Sequence, residues 1–92
     1  MNYHVYIATE RKEAILDPQG KATYHALDSL GLPEVSDVRI GKFIRLAVNA
    51  ESQEKARQVA EESSRKLLAN PIMETFRVLE IKEIPGKGVS GR

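Results

Sequence analysis

The side chains in this sequence that could do acid–base chemistry near neutral pH are two histidines, His4 and His25. His4 alternates with aromatic residues in a strand-like stretch, and His25 falls beside the apolar stripe of a predicted helix. Neither is spaced from another histidine or a carboxylate group in the way that metal ligands are. The serine pair Ser63-Ser64 sits in a helical pattern with no neighbouring base or orienting group, so it lacks what an activated nucleophile needs. Gly31, Gly41 and Gly86 are isolated and read as a cap, a turn and a tail; no phosphate-cradling loop of the P-loop or dinucleotide type is present. No catalytic residue, bound cofactor or metal site is expected on this chain.

Binding chemistry is bounded by composition. The chain has 14 Lys+Arg against 13 Asp+Glu, a formal net charge of +1. It therefore lacks the concentrated basic excess that supplies nucleic-acid affinity. Tyr6 and Phe43 are the two aromatic residues that a sheet could offer to bases. With aromatics at only 5% and no basic-aromatic motif, no nucleic-acid partner is expected. The absence of cysteine excludes disulfides and thiolate metal sites and fits a reducing cytosol. No apolar run reaches the roughly 18–20 residues that cross a bilayer. The opening Met1-Asn2-Tyr3-His4 lacks the basic-then-apolar pattern of a secretory leader. A soluble, cytoplasmic protein without a membrane partner is expected. Its 92 residues make one domain over 1–84, with Pro85–Arg92 as a flexible, glycine-containing tail. A chain this short buries only about 60–65% of its unfolded surface, so association would help it.

The elements that would position these residues follow from period and punctuation. Tyr3, Val5, Ile7 and Thr9 alternate with His4, Tyr6 and Ala8, which predicts a strand. Asp17 offers an N-cap oxygen, and Pro18 suits the first helical position. The first helix then runs to about Leu30 on a stripe of Ala22, Thr23, Ala26, Leu27 and Leu30. Gly31 supplies a left-handed C-terminal cap and Pro33 blocks continuation. A second helix spans roughly Ala50–Ala69, with Ala56, Val59, Ala60, Ser63 and Leu67 as its buried stripe. Glu51/Lys55, Glu61/Arg65 and Glu62/Lys66 stand four apart on its outer face. Asn70-Pro71 stops it. The last strand covers about Thr75–Ile81, and its apolar parity shifts between Phe76/Val78 and Leu79/Ile81, which predicts a bulge or burial on both faces.

Between the helices, Val38, Ile40, Ile44, Leu46 and Val48 keep one parity across Gly41. A two-residue turn at Gly41-Lys42 would set Arg45 on the face of Val38, whereas a three-residue turn keeps the apolar residues together but puts glycine first in the loop. The alternative is one long strand bent at glycine. Ser36–Val48 extended would reach about 43 Å at about 3.3 Å per residue. A compact domain of this length has a radius of gyration of about 12 Å, so such a strand would need a second chain to cover its end. Both solutions remain open. The expected fold is α+β: an antiparallel sheet of three or four strands in β-α-β(β)-α-β order, ferredoxin-like or with one long bent middle strand, covered by two helices on one face.

Three segments carry a family resemblance: ILDPQGKA at Ile15–Ala22 with ALDSLG at Ala26–Gly31, VSDVRIGKFIRL at Val35–Leu46, and KLLANPIMETFRV at Lys66–Val78. In order, spacing and total length the chain resembles the PurS family, the small subunit of phosphoribosylformylglycinamidine synthase. It departs at Met73-Glu74-Thr75, where the family tends to an aliphatic-acidic pair, and in its extra glycine-rich tail. The resemblance implies a non-catalytic subunit that bridges the large synthetase subunit and the glutaminase. The complex converts formylglycinamide ribonucleotide to its amidine with ATP and glutamine-derived ammonia, and the small subunit aids ammonia transfer. ATP and magnesium then belong to the large partner. Independently of the resemblance, the unbroken alternation over Ser36–Val48 is where self-association, as a homodimer or higher homo-oligomer, is expected to be encoded. Interface candidates are Asp17, Gln19, Gly20, Arg39, Gly41, Lys42, Ile44 and Asn70. All but Ile44 have a structural reading beside them: cap and helix start for Asp17 to Gly20, a solvated strand turn for Arg39 to Lys42, a helix stop for Asn70. The other functional class is a small-molecule-sensing module of similar topology acting as a dimer.

Overall fold

The computed structural model describes residues 1–85. Of the tail expected over 85–92, all but Pro85 lies outside the described residues. The elements run β1 (Asn2–Arg11), α1 (Pro18–Ser29), β2 (Gly41–Asn49), α2 (Gln53–Ser63) with a π-helical turn (Ser64–Leu68), and β3 (Glu74–Ile84). The sheet is three-stranded and antiparallel in the order β2-β1-β3. The expected α+β architecture of an antiparallel sheet with two helices is what is observed.

The strand parities explain the core. Tyr3, Val5, Ile7 and Thr9 are all buried on one face of β1. Opposite them on β2 stand Val48, Leu46 and Ile44, paired with Tyr3, Val5 and Ile7 respectively. On β3, Ile81 pairs with Val5 and Val78 with Ile7. Two residues separate Val78 from Ile81, so the register slips between Tyr6 and Ile7 and Leu79 becomes the extra residue of a bulge. The parity shift predicted this irregularity. Ala56 and Ala60 of α2 close over the face at zero exposure, their small side chains letting the helix sit close. Partly buried Ile44, Leu46, Leu68, Phe76, Val78 and Ile81 complete the cluster.

Both helix boundaries have identifiable caps. Asp17 accepts the Gly20 amide at 3.0 Å at the start of α1. At its end, the Gly31 amide donates to Asp28 and the Leu32 amide to Leu27, with Gly31 at φ +87°. That pair of bonds is a Schellman motif, and only glycine takes the left-handed conformation without strain. Helix α2 begins later than the periodicity predicted, because Ser52 caps it by accepting the Lys55 amide at 3.1 Å. Glu51 is thereby left outside the helix and does not pair with Lys55 among the described ion pairs. Glu61 reaches back to Arg57 at 3.9 Å rather than forward to Arg65, while Glu62–Lys66 forms as expected at 2.8 Å.

Three expectations are corrected. Ser36–Ile40 is neither the first arm of a hairpin nor part of the strand; it runs as irregular chain, and β2 begins at Gly41. The reason is a tertiary bond: the Ile40 amide donates to the Asp17 carboxylate at 2.8 Å instead of entering a ladder. Second, Leu67 is not in the α2 stripe but 82% exposed. The Ala69 amide bonds Ser64 O, five residues back, which inserts one residue into the turn and swings Leu68 inward in place of Leu67. Third, the α1 stripe is largely exposed: Ala22 and Ala26 are exposed, Leu30 is 75% exposed, and Thr23 and Leu27 are half-buried. Helix α2 packs on all three strands, whereas α1 stands off the sheet. The described chain is accordingly elongated, 49 × 28 × 21 Å.

Candidate functional site

The three segments singled out in the sequence lie far apart along the chain and meet at one end of the sheet, where β1 ends and β2 and β3 begin. Two side chains clasp the first segment to the second. Asp17, 5% exposed, accepts the Gly20 amide of its own helix with one carboxylate oxygen and the Ile40 amide with the other. In return, Arg39 Nη2 donates to the carbonyls of Arg11 at 3.2 Å, Lys12 at 2.8 Å and Ile15 at 3.3 Å. The acid of one loop holds the backbone of the other, and the base of the second holds the backbone of the first.

Electrostatics follow from this geometry. The Ile40 amide, and after it the Gly20 amide, hold the Asp17 carboxyl below the usual carboxylate range, and the Arg39 and Arg11 charges add to the effect. The carboxylate is thus fully committed as an acceptor rather than poised to take a proton.

The glycines are matters of close approach. A Cβ on Gly20 would collide with the Val38 carbonyl oxygen, and one on Gly41 with the Thr9 carbonyl oxygen. Gly41 is therefore neither a hairpin turn nor a free bend; it is where β2 comes down against β1.

The third segment is tied in by Lys42. Its ammonium donates to Leu68 O at 2.6 Å, taking a carbonyl at the end of the π-turn, and lies 3.6 Å from Glu74. Glu74 in turn accepts the Asn70 amide at 2.8 Å. The Asn70 side-chain oxygen accepts the amides of Ile72 at 2.9 Å and Met73 at 3.1 Å, and the Lys12 amide donates to Met73 O at 2.9 Å. A cleft of about 320 Å³ opens between these groups, lined by Arg11, Asp17, Pro18, Gln19, Ile40, Gly41, Lys42 and Glu74.

Of the expected interface residues, Asp17, Gln19, Gly41 and Lys42 line this cleft, Gly20 and Arg39 support it from behind, and Asn70 braces the neighbouring turn. Ile44 is not brought there; it faces Ile7 and packs on the core. Arg11 and Glu74 belong to the cleft but are not among the expected interface residues: Arg11 is one charge among many at a strand end, and Glu74 stands out only as part of a departure from the family pattern. His4 lies edge-on to Tyr6 and His25 beside Tyr24, both away from the cleft lining. Among the described residues no three His, Cys, Asp or Glu are grouped as a metal site. What the cleft offers is a shaped, charged surface held by side-chain-to-backbone bonds.

A shaped, charged surface clasped at one end of a thin sheet is suited to binding another molecule. A family model described as PurS, phosphoribosylformylglycinamidine (FGAM) synthase, matches residues 4–82. The chain belongs to the PurS family. It is 42% identical over 82 residues to the phosphoribosylformylglycinamidine synthase subunit PurS of Bacillus subtilis, covering 89% of this chain and 95% of that protein. Thermus thermophilus PurS superposes with a TM-score of 0.84 at 39% identity, covering 92% of this chain and all of that one. A chain in the PurLQS structure from Thermotoga maritima gives a TM-score of 0.77 at 28% identity, over 91% of this chain and 99% of that one.

Proposed function

We propose that this chain is the small subunit of a phosphoribosylformylglycinamidine synthase, an accessory of a glutamine-dependent carbon–nitrogen ligase. It bridges the synthetase and glutaminase subunits and aids ammonia transfer between them. The observation that carries this reading is the convergence of the three family segments on one clasped end, with their side chains spent on holding backbone rather than on chemistry. Asp17 accepts two amides and Arg39 donates to three carbonyls. The chain's own part is then to present a fixed surface; ATP, magnesium, glutamine and the ribonucleotide are handled by the partners. The protein acts in the cytoplasm, which accords with a sequence free of cysteine.

Self-association belongs to the same proposal, as a homodimer or higher oligomer. The exposed apolar residues that flank α1, Leu16 at 66% before it and Leu30 at 75% after it, support it. An isolated helix of this length is marginal in water without a face to pack on.

The test is assembly. The cognate synthetase and glutaminase are mixed with and without this chain, and the mass of the product is read by light scattering after size exclusion. A three-component complex that forms only when the chain is present is expected. Synthetase and glutaminase that assemble equally well without it would overturn the bridging role.

A further inference from the structure

The π-turn costs α2 its regular hydrogen bonding at Ser64–Leu68, and its outcome is to turn an apolar side chain outward. In an unbroken α-helix, Leu67 would follow Ala56, Ala60 and Ser63 on the core face at helical spacing. Here it is 82% exposed, and Ile72, just beyond, is 77% exposed; these are the two most exposed large apolar residues described. Neither sits on a loose loop. Asn70 locks the turn between them through the Ile72 and Met73 amides, Glu74 takes the Asn70 amide, and Lys42 holds Leu68 O. A backbone tied down in this way has its ordering cost met before binding, which favours the apolar side chains it presents as interface anchors.

Beside them lies a groove of about 340 Å³ whose walls include Ala69, Pro71 and Phe76. Three charged residues line it: Glu74, which is paired with Lys42, and Lys12 and Arg65, neither of which forms an ion pair among the described residues. Lys42 and Lys66 nearby are already neutralised by Glu74 and Glu62. An apolar groove flanked by two uncompensated cations is complementary to a segment that carries apolar side chains together with carboxylates.

We infer that the π-turn and the Ala69–Met73 turn form the docking surface for an acidic, apolar segment of one of the two larger subunits, with Leu67 and Ile72 as anchors and Lys12 and Arg65 as charge partners. The inference rests on the subunit reading above and assigns it a surface distinct from α1.

The test uses the full chain with the purified synthetase and the purified glutaminase, each titrated separately. Leu67→Ser and Ile72→Ser remove the anchors, and Arg65→Glu reverses one charge. Because the three side chains are exposed, thermal unfolding should be unchanged, which separates docking from folding. The expected result is a loss of affinity on the order of tenfold or more for one of the two subunits, with the Arg65→Glu loss shrinking as salt is raised. Unchanged affinity for both subunits overturns the docking surface while leaving the subunit reading intact. Wild-type chain that binds neither subunit overturns both. Variants that instead lower the mass of the chain on its own assign this surface to a second copy, and so also overturn the inference.

Discussion

Replacing Arg39 with methionine probes the clasp directly. Methionine keeps the apolar stem that arginine buries and removes only the guanidinium. Nη2 carries two hydrogens and faces three carbonyls at 2.8, 3.2 and 3.3 Å, so it makes the equivalent of two full bonds, one of them shared. Hydrogen bonds from a charged donor are each worth about 1.5–3 kcal/mol, or about 3–6 kcal/mol for two. Against this stands the Arg39 Nε, buried with no partner, which costs about 1–3 kcal/mol. Removing the whole group loses the first quantity and recovers the second. A net destabilisation of about 2 kcal/mol is predicted, and in a domain of this size that corresponds to a fall in Tm of about 8–16 °C. Arg39→Lys keeps the charge but not the planar fork, so it should restore about half of the loss. Urea unfolding followed by circular dichroism at fixed protein concentration measures both variants, the concentration being held because association contributes to apparent stability. A loss below about 0.5 kcal/mol for Arg39→Met would mean that water replaces the guanidinium at no cost. The claim that these bonds fix the loop would then fail.

Other perturbations separate the remaining contacts. Gly41→Ala forces a methyl onto the Thr9 carbonyl and should cost about 1–3 kcal/mol in urea unfolding; wild-type stability would show that β1 and β2 have slack there. Ile7→Ala empties a fully buried position and should cost about 2–5 kcal/mol, read by thermal denaturation. The pH dependence has a definite sign. The Asp17 carboxyl titrates below its ordinary value of 3.8, so the folded state binds that proton less readily than the unfolded chain does. Its contribution is therefore complete well above 3.8, declines as pH falls through that value and is lost below the lower folded value. Unfolding midpoints measured from pH 6 downward should drop more steeply in that window for the natural chain than for Asp17→Asn; parallel curves would show that the carboxylate is not held by its amides.

Much of the fold is legible where one physical cause acts alone. The alternation of Tyr3, Val5, Ile7 and Thr9 has a single reading, and β1 follows it. The parity shift between Phe76/Val78 and Leu79/Ile81 announces either a bulge or burial on both faces, and the strand register resolves it as a bulge at Leu79. Gly31 followed by Pro33 marks the end of α1 through backbone conformation alone. Legibility fails where a tertiary bond competes with local pattern. The alternation from Val38 to Val48 looks continuous because an extended chain alternates whether its amides enter a ladder or are taken by a side chain, and Asp17 takes that of Ile40. Arg65, Lys66 and Leu67 are ordinary helix formers, so nothing local announces a five-residue hydrogen bond at Ser64. The stripe of α1 signals a helix but not what it packs on. For the site, the sequence marks Asp17, Gly20, Arg39, Gly41 and Lys42 as unusual, yet their reciprocal bonding emerges only once segments more than twenty residues apart are brought together. Gly20 is the clearest instance: capping does not require it, and the Val38 carbonyl does.

A bridging subunit is needed for the synthetase to receive ammonia from the glutaminase, not for the synthetase to use ammonia once supplied. Synthetase turnover can be compared with glutamine and with ammonium as nitrogen source, in the presence of the glutaminase, with and without this chain. Glutamine-dependent turnover should depend on the chain while ammonium-dependent turnover does not. Glutamine-dependent turnover that persists at full rate in its absence would contradict the account.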